Sequence, residues 1–187
     1  MSGRHRGILI IVVGVLFCGA AAACYGISLQ TLTMLALYGI LTVIAWIDAR
    51  TQIIPPIWNL LLGAVGIISY FTMPGPTIAQ RMIGCICISL PMYLVILFIP
   101  EGFGGGDIKM MAAAGLFLGW KGNVAAFLIG LFVGGFYGVY LLAAKKKDKK
   151  DHFAFGPCLS LGVAVSAFGG AGATLVEMYL HMIQTML

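Results

Sequence analysis

Apolar residues run along this chain in seven long stretches, separated by short breaks rich in glycine, proline or charge. They fall at roughly 8–25, 31–47, 57–73, 81–99, 108–120, 123–144 and 157–185. A helix needs about 20 apolar residues to cross about 30 Å of hydrocarbon. The fifth stretch is the short one, covering about 20 Å at 1.5 Å per residue. The pattern predicts an all-α, polytopic membrane helix bundle of about seven transmembrane helices. It forms a single integral membrane domain over 1–187, with 1–30 as an extra N-terminal span and 31–187 as the helical core.

Composition agrees. The chain has 187 residues, 61% of them hydrophobic and only 9% charged, where a soluble domain carries about a quarter charged residues. The formal net charge of +5 is therefore a report on loop orientation and not a nucleic-acid signal. With a cytoplasmic N-terminus and all seven stretches crossing, the inner loops hold Arg4, Arg6, Arg50, Lys109, Lys145, Lys146, Lys147, Lys149 and Lys150. The outer loops hold only Arg81 and Lys121. If the fifth stretch did not cross, the cluster "KKKDKK" would face outward, against the positive-inside tendency. The expectation is thus N-terminus inside and C-terminus outside, with the lysine cluster on inner-leaflet lipid, where each basic charge contributes about 1 kcal/mol.

The first stretch, "MSGRHRGILIIVVGVLFCGAAAAC", also fits a secretory signal peptide. Retention as a span is the expectation, and the topology of the rest is the same either way. Gly130, Gly134 and Gly138 recur every four residues on one helical face, a spacing that lets backbones approach closely in lipid. Gly169–Gly170 is expected to bend the overlong last stretch. The five cysteines, Cys18, Cys24, Cys85, Cys87 and Cys158, form no CxxC pair and no Cys/His cluster, so they read as small packing residues with no metal site.

Acids are scarce, six in all. Asp148 and Asp151 lie in the lysine-rich loop, and Glu177 reads as an interfacial side chain reaching for water. Asp48 and Asp107 are different. Asp48 closes the second stretch, Asp107 opens the fifth, and the topology puts both at the cytoplasmic end at similar depth. Each is followed two residues later by a base, Arg50 or Lys109. An ionisable residue inside a membrane segment costs several kcal/mol unless something offsets it, and so marks function by default.

Two carboxylates brought close share one proton and titrate as a unit. The ionised partner can take a proton from water while the other donates to a peptide carbonyl, the aspartic-protease arrangement. "GFGGGD" places four glycines in the five positions before Asp107. They permit backbone conformations closed to other residues, and Gly104, Gly105 and Gly106 leave room for an extended substrate. Irregular backbone at this depth is allowed only in protein or around a wet cavity, which predicts a cleft. In "IIPPIWN", Pro55 and Pro56 set a rigid turn into the third span. Asn59 is placed either to hydrogen-bond back to that loop or to sit at the interface.

Three motifs together give a resemblance. Asp48 followed by Ile54, Pro55 and Asn59 is one. Gly104, Gly106, Asp107 and Lys109, in the pattern Gly-x-Gly-Asp-x-Lys, is the second. Phe155, Gly156 and Pro157 after the basic loop is the third. In this order the chain resembles the type IV prepilin peptidases, membrane aspartic peptidases of the bacterial inner membrane, over roughly residues 35 to 165. The resemblance implies Asp48 and Asp107 as the catalytic pair of a catalytic core. It implies cleavage of a short basic leader from prepilin or pseudopilin precursors, after glycine and before the apolar helix. Many members also methylate the new N-terminus with S-adenosylmethionine and carry a four-cysteine zinc insert between the first two spans. Only "YGISLQT" separates those spans here, so no zinc and no cofactor is expected. The expected partners are precursors and membrane lipid, not nucleic acid.

On this reading Lys109 either tunes Asp107 or receives an acidic residue of the substrate, or it reaches the headgroups. Glu101 is placed to attract the basic leader. Two other readings remain open from the sequence: a pilin-assembly scaffold that binds without cutting, and a small proton-coupled transporter with glycine-broken helices.

Overall fold

The computed structural model describes residues 3–99, 103–143 and 154–186. All regular structure in them is helical. In order the helices are α1 (Gly3–Tyr25), α2 (Leu29–Thr51), α3 (Pro56–Thr72), α4 (Ile78–Cys87), α5 (Ser89–Phe98), α6 (Gly105–Ala143), α7 (Gly156–Ala167) and α8 (Ala171–Met186). Five helical runs are long and apolar enough to cross a membrane: Gly7–Tyr25, Leu29–Thr51, Ile78–Phe98, Gly105–Tyr140 and Gly156–Thr185. Pro56–Thr72 is apolar but shorter. The chain is therefore an all-helical, multi-pass membrane protein.

Local chemistry sets the boundaries. Ser28 caps α2 by accepting from the Thr31 amide. The helix ends at Gln52, which takes a left-handed conformation and returns its N–H to the Asp48 carbonyl. Pro56 opens α3 at a first-turn position, where a missing N–H costs nothing. A Thr77–Gln80 capping box opens α4. The run from Ile78 to Phe98 is interrupted at Ile88, between α4 and α5.

The apparent length of α6, 39 residues, conceals a reversal. Gly119 has φ 67° and ψ 178°. Asn123 donates to the carbonyl of Met111 at 3.2 Å. In a straight helix twelve residues span about 18 Å, so the chain must double back at Gly119. A side chain there would also press on Pro76, with its Cβ only 2.7 Å from that ring. α6 is thus two arms, 105–118 and 120–143, matching the fifth and sixth apolar stretches. The last run breaks at Gly169 and Gly170, with φ of 59° and 71°, as the overlong stretch predicted.

Small residues let the arms pack on backbone. The first arm crosses α4 so closely that a Cβ on Gly115 would lie 2.2 Å from the Gly84 carbonyl oxygen, and it meets α3 at Gly66. In the second arm Gly130 and Gly134 meet Leu159 and Phe155, so part of the predicted glycine stripe is the seat of α7. Met110, Met111, Ala114, Leu62 and Leu159 are buried where these helices meet.

Two sequence expectations change. Arg81 does not sit in an outer loop: it is 5% exposed inside α4. Its guanidinium donates to the carbonyls of Gly66 and Leu116, which close backbone packing leaves within reach. Glu177 is not alone at the interface but pairs with Lys121 at 2.8 Å. The lysine cluster 145–150 and Glu101 lie outside the described residues.

Candidate active site

Asp48 stands in the last turn of α2, where carbonyls point outward and a negative charge is poorly placed. The compensation comes from far along the chain. Gly156 is the first residue of α7, so its N–H has no partner within that helix. It donates to Asp48 Oδ2 at 2.8 Å. Asp48 thereby caps α7 and is fixed by it. No side chain fits at 156: a Cβ there would lie 2.7 Å from that same carboxylate oxygen.

Asp107 lies in the first turn of α6 and closes that helix on itself. Gly104 is the residue before the helix, and its carbonyl accepts from the amides of Asp107 and Ile108. Its own N–H donates to Asp107 Oδ2 at 3.3 Å. This is the geometry in which an acid three residues into a helix reaches back to the capping residue. Asp107 Oδ1 is buried and meets no donor among the described residues. Both carboxylates are buried, at 5% and 7% exposure. They lie near enough to act on one another as charges, and both act on Cys158 in α7.

The turn after α2 supports the glycine loop. Asn59 is buried in α3 and donates Nδ2–H to the carbonyl of Gly106 at 3.1 Å. Ile54, held beside Pro55, packs on the same residue, and a Cβ on Gly106 would lie 2.9 Å from it. A Cβ on Gly104 would lie 3.1 Å from Asp107 Oδ2, while Gly105 faces open space. None of Gly104, Gly105 and Gly106 has positive φ. The expectation that these glycines serve special backbone angles is corrected: at Gly104 and Gly106 the missing side chain is what lets Asp107 and Ile54 approach. Lys109 is exposed. Arg50 is likewise exposed, stacked 4.0 Å over the Trp46 ring. The two bases that follow the acids in sequence therefore do not pair with them.

Sequence reasoning quoted Gly156 only as part of a motif and missed its bond to Asp48. It also missed Asn123, which is fully buried and donates to both Gly84 and Met111. A polar amide within an otherwise apolar, glycine-flanked stretch was the available signal. Among the described residues no three His, Cys, Asp or Glu side chains gather to hold a metal ion, and the five cysteines are free.

The fold is thus a helical membrane bundle holding two buried acids, each accepting from a backbone amide at a helix start. The chain belongs to the type IV leader peptidase family, whose model matches residues 35–139. It is similar to proteins named prepilin leader peptidase/N-methyltransferase. That of Xanthomonas campestris pv. campestris is 30% identical, covering 96% of this chain and 65% of the relative. That of Neisseria gonorrhoeae is 32% identical, covering 82% and 54%. That of Aeromonas hydrophila is 27% identical, covering 93% and 65%. The chain thus spans less than two thirds of the length of each of these relatives. No solved structure gives a significant match.

Proposed function

We propose that this chain is an aspartic endopeptidase that removes the short basic leader of type IV prepilin or pseudopilin precursors, cutting after glycine at the cytoplasmic face of the bacterial inner membrane. What supports this reading is the burial of Asp48 and Asp107 within electrostatic reach of one another, each accepting from a single backbone amide. In this reading the N-terminus is cytoplasmic, the C-terminus lies outside, and the seven apolar helical segments all cross.

The unequal surroundings divide the work. Asp48, on the α7 amide, serves as the base. Asp107, with one buried oxygen free of donors, carries the shared proton. Water attacks the scissile carbonyl carbon as its proton passes to Asp48, and Asp107 gives its proton to the carbonyl oxygen. When the carbon–nitrogen bond breaks, Asp48 returns a proton to the leaving amine and Asp107 recovers its own. The open side of Gly105 admits the substrate backbone. Exposed Lys109 meets headgroups or an acidic residue of the precursor. No step passes through a metal or a methyl donor.

Full chain in detergent, mixed with a precursor carrying a leader–Gly–Phe junction, tests this by electrophoresis and N-terminal sequencing. A shorter product beginning at Phe is expected. A precursor that binds and stays intact would replace the peptidase with a scaffold.

A further inference from the structure

At the end of the bundle away from the acid pair lies a cavity of about 440 Å³. It is bounded by the loop between α3 and α4, the reversal at Gly119 and the break at Gly169–Gly170. Arg81, Lys121 and Glu177 are its charged lining residues. Lys121 and Glu177 answer one another at 2.8 Å, both partly exposed. The charge of Arg81 remains.

Arg81 is 5% exposed. Its Nε donates to the carbonyl of Pro76 at 3.0 Å. Its Nη1 donates to Gly66 O at 2.8 Å, Ser69 Oγ at 2.7 Å and Leu116 O at 2.5 Å. All four acceptors are neutral. They satisfy N–H groups, and the Tyr70 ring centroid lies 5.7 Å from its Cζ, but among the described residues no full negative charge answers the guanidinium, which is unfavourable for a buried ion. No carboxylate pairs with Arg81 among the described residues, and Nη2 has no acceptor there. That nitrogen lies beside Gly75, 3.5 Å from where a Cβ would stand, and Gly75 also lines the cavity.

We propose that this cavity binds one phosphate-type anion, held by Arg81 Nη2 with Lys121 as the second cation. A guanidinium edge matches phosphate oxygens in shape and charge. Gln30 and Gln80, also on the lining, bring further amide groups. Two sources share this chemistry: the phosphodiester headgroup of an anionic lipid, and soluble phosphate.

The test is native mass spectrometry of the full chain in detergent with phosphatidylglycerol, phosphatidylcholine or inorganic phosphate. Phosphatidylglycerol is expected to bind at least about fivefold more tightly than the zwitterionic lipid. Phosphate that displaces it at millimolar concentration assigns the soluble source; failure to displace assigns the lipid. Lys121→Gln should weaken the anion about fivefold. Glu177→Gln should tighten it by a similar factor, because it removes the acid among the lining residues and releases Lys121. Misfolding cannot raise affinity, so this variant separates the site from a fold effect. Equal binding of both lipids without phosphate binding, or no change in either variant, overturns the proposal.

Discussion

The amide of Gly156 donates to Oδ2 of Asp48 across 2.8 Å, so a carboxylate ending α2 caps a helix that begins 108 residues later. The bond ties the two halves of the chain together at the point where the proposed chemistry takes place. It also explains why the basic loop is followed by glycine and then proline: the first frees space and a donor, the second suits the first turn.

Gly156→Ala should therefore act on chemistry more than on stability. The new Cβ would lie 2.7 Å from Oδ2 and 2.8 Å from Cγ of Asp48, forcing the carboxylate aside. A displacement near 1 Å at a reacting group costs about 10²-fold in rate. Steady-state cleavage of a precursor, beside a thermal unfolding curve of the same sample, checks this. A large fall in kcat with a retained cooperative transition is expected.

Asn59→Leu should loosen the glycine loop from beneath. It removes the donor to the Gly106 carbonyl, and a buried group left unsatisfied costs about 1–3 kcal/mol. Hydrogen exchange at the start of α6 should quicken, and cleavage should slow by about tenfold. Unchanged exchange there would show that Asn59 does not hold the loop.

Two glycine-to-alanine changes should behave in opposite ways. At Gly115 the added Cβ meets the Gly84 carbonyl oxygen at 2.2 Å, backbone against backbone. Overpacking of that kind costs about 1–3 kcal/mol or more, so Gly115→Ala should lower the unfolding temperature in detergent. At Gly105 nothing lies within 4 Å. Gly105→Ala should leave stability within about 0.5 kcal/mol yet raise KM, because the proposed path of the substrate backbone crosses its open side. A KM like wild type would move the substrate path elsewhere.

The parts of this molecule that were legible in sequence are those where one residue type breaks a long pattern. Asp48 and Asp107 stand out because acids interrupt apolar helices, and Gly169–Gly170 stands out because it divides a stretch too long for one span. The reversal of α6 was visible only as a gap between two apolar runs, and Gly119 itself carried no mark among so many glycines. Arg81 was misplaced for a different reason. Loop counting puts a base near a helix start in water, whereas three backbone carbonyls and a serine hydroxyl from other segments draw it inside. The Gly156–Asp48 and Asn59–Gly106 bonds join segments far apart in sequence, and local periodicity does not encode such pairs.

The most direct measurement of the central claim is precursor cleavage by Asp48→Asn, Asp107→Asn and the double variant, each with its fold verified by circular dichroism. General acid and base groups each contribute about 10²–10⁴-fold, and residues that act as a unit are not additive. Each single variant should lose at least about 10²-fold, with the double variant no slower than the worse single one. Either single variant cutting at the wild-type rate would contradict that claim.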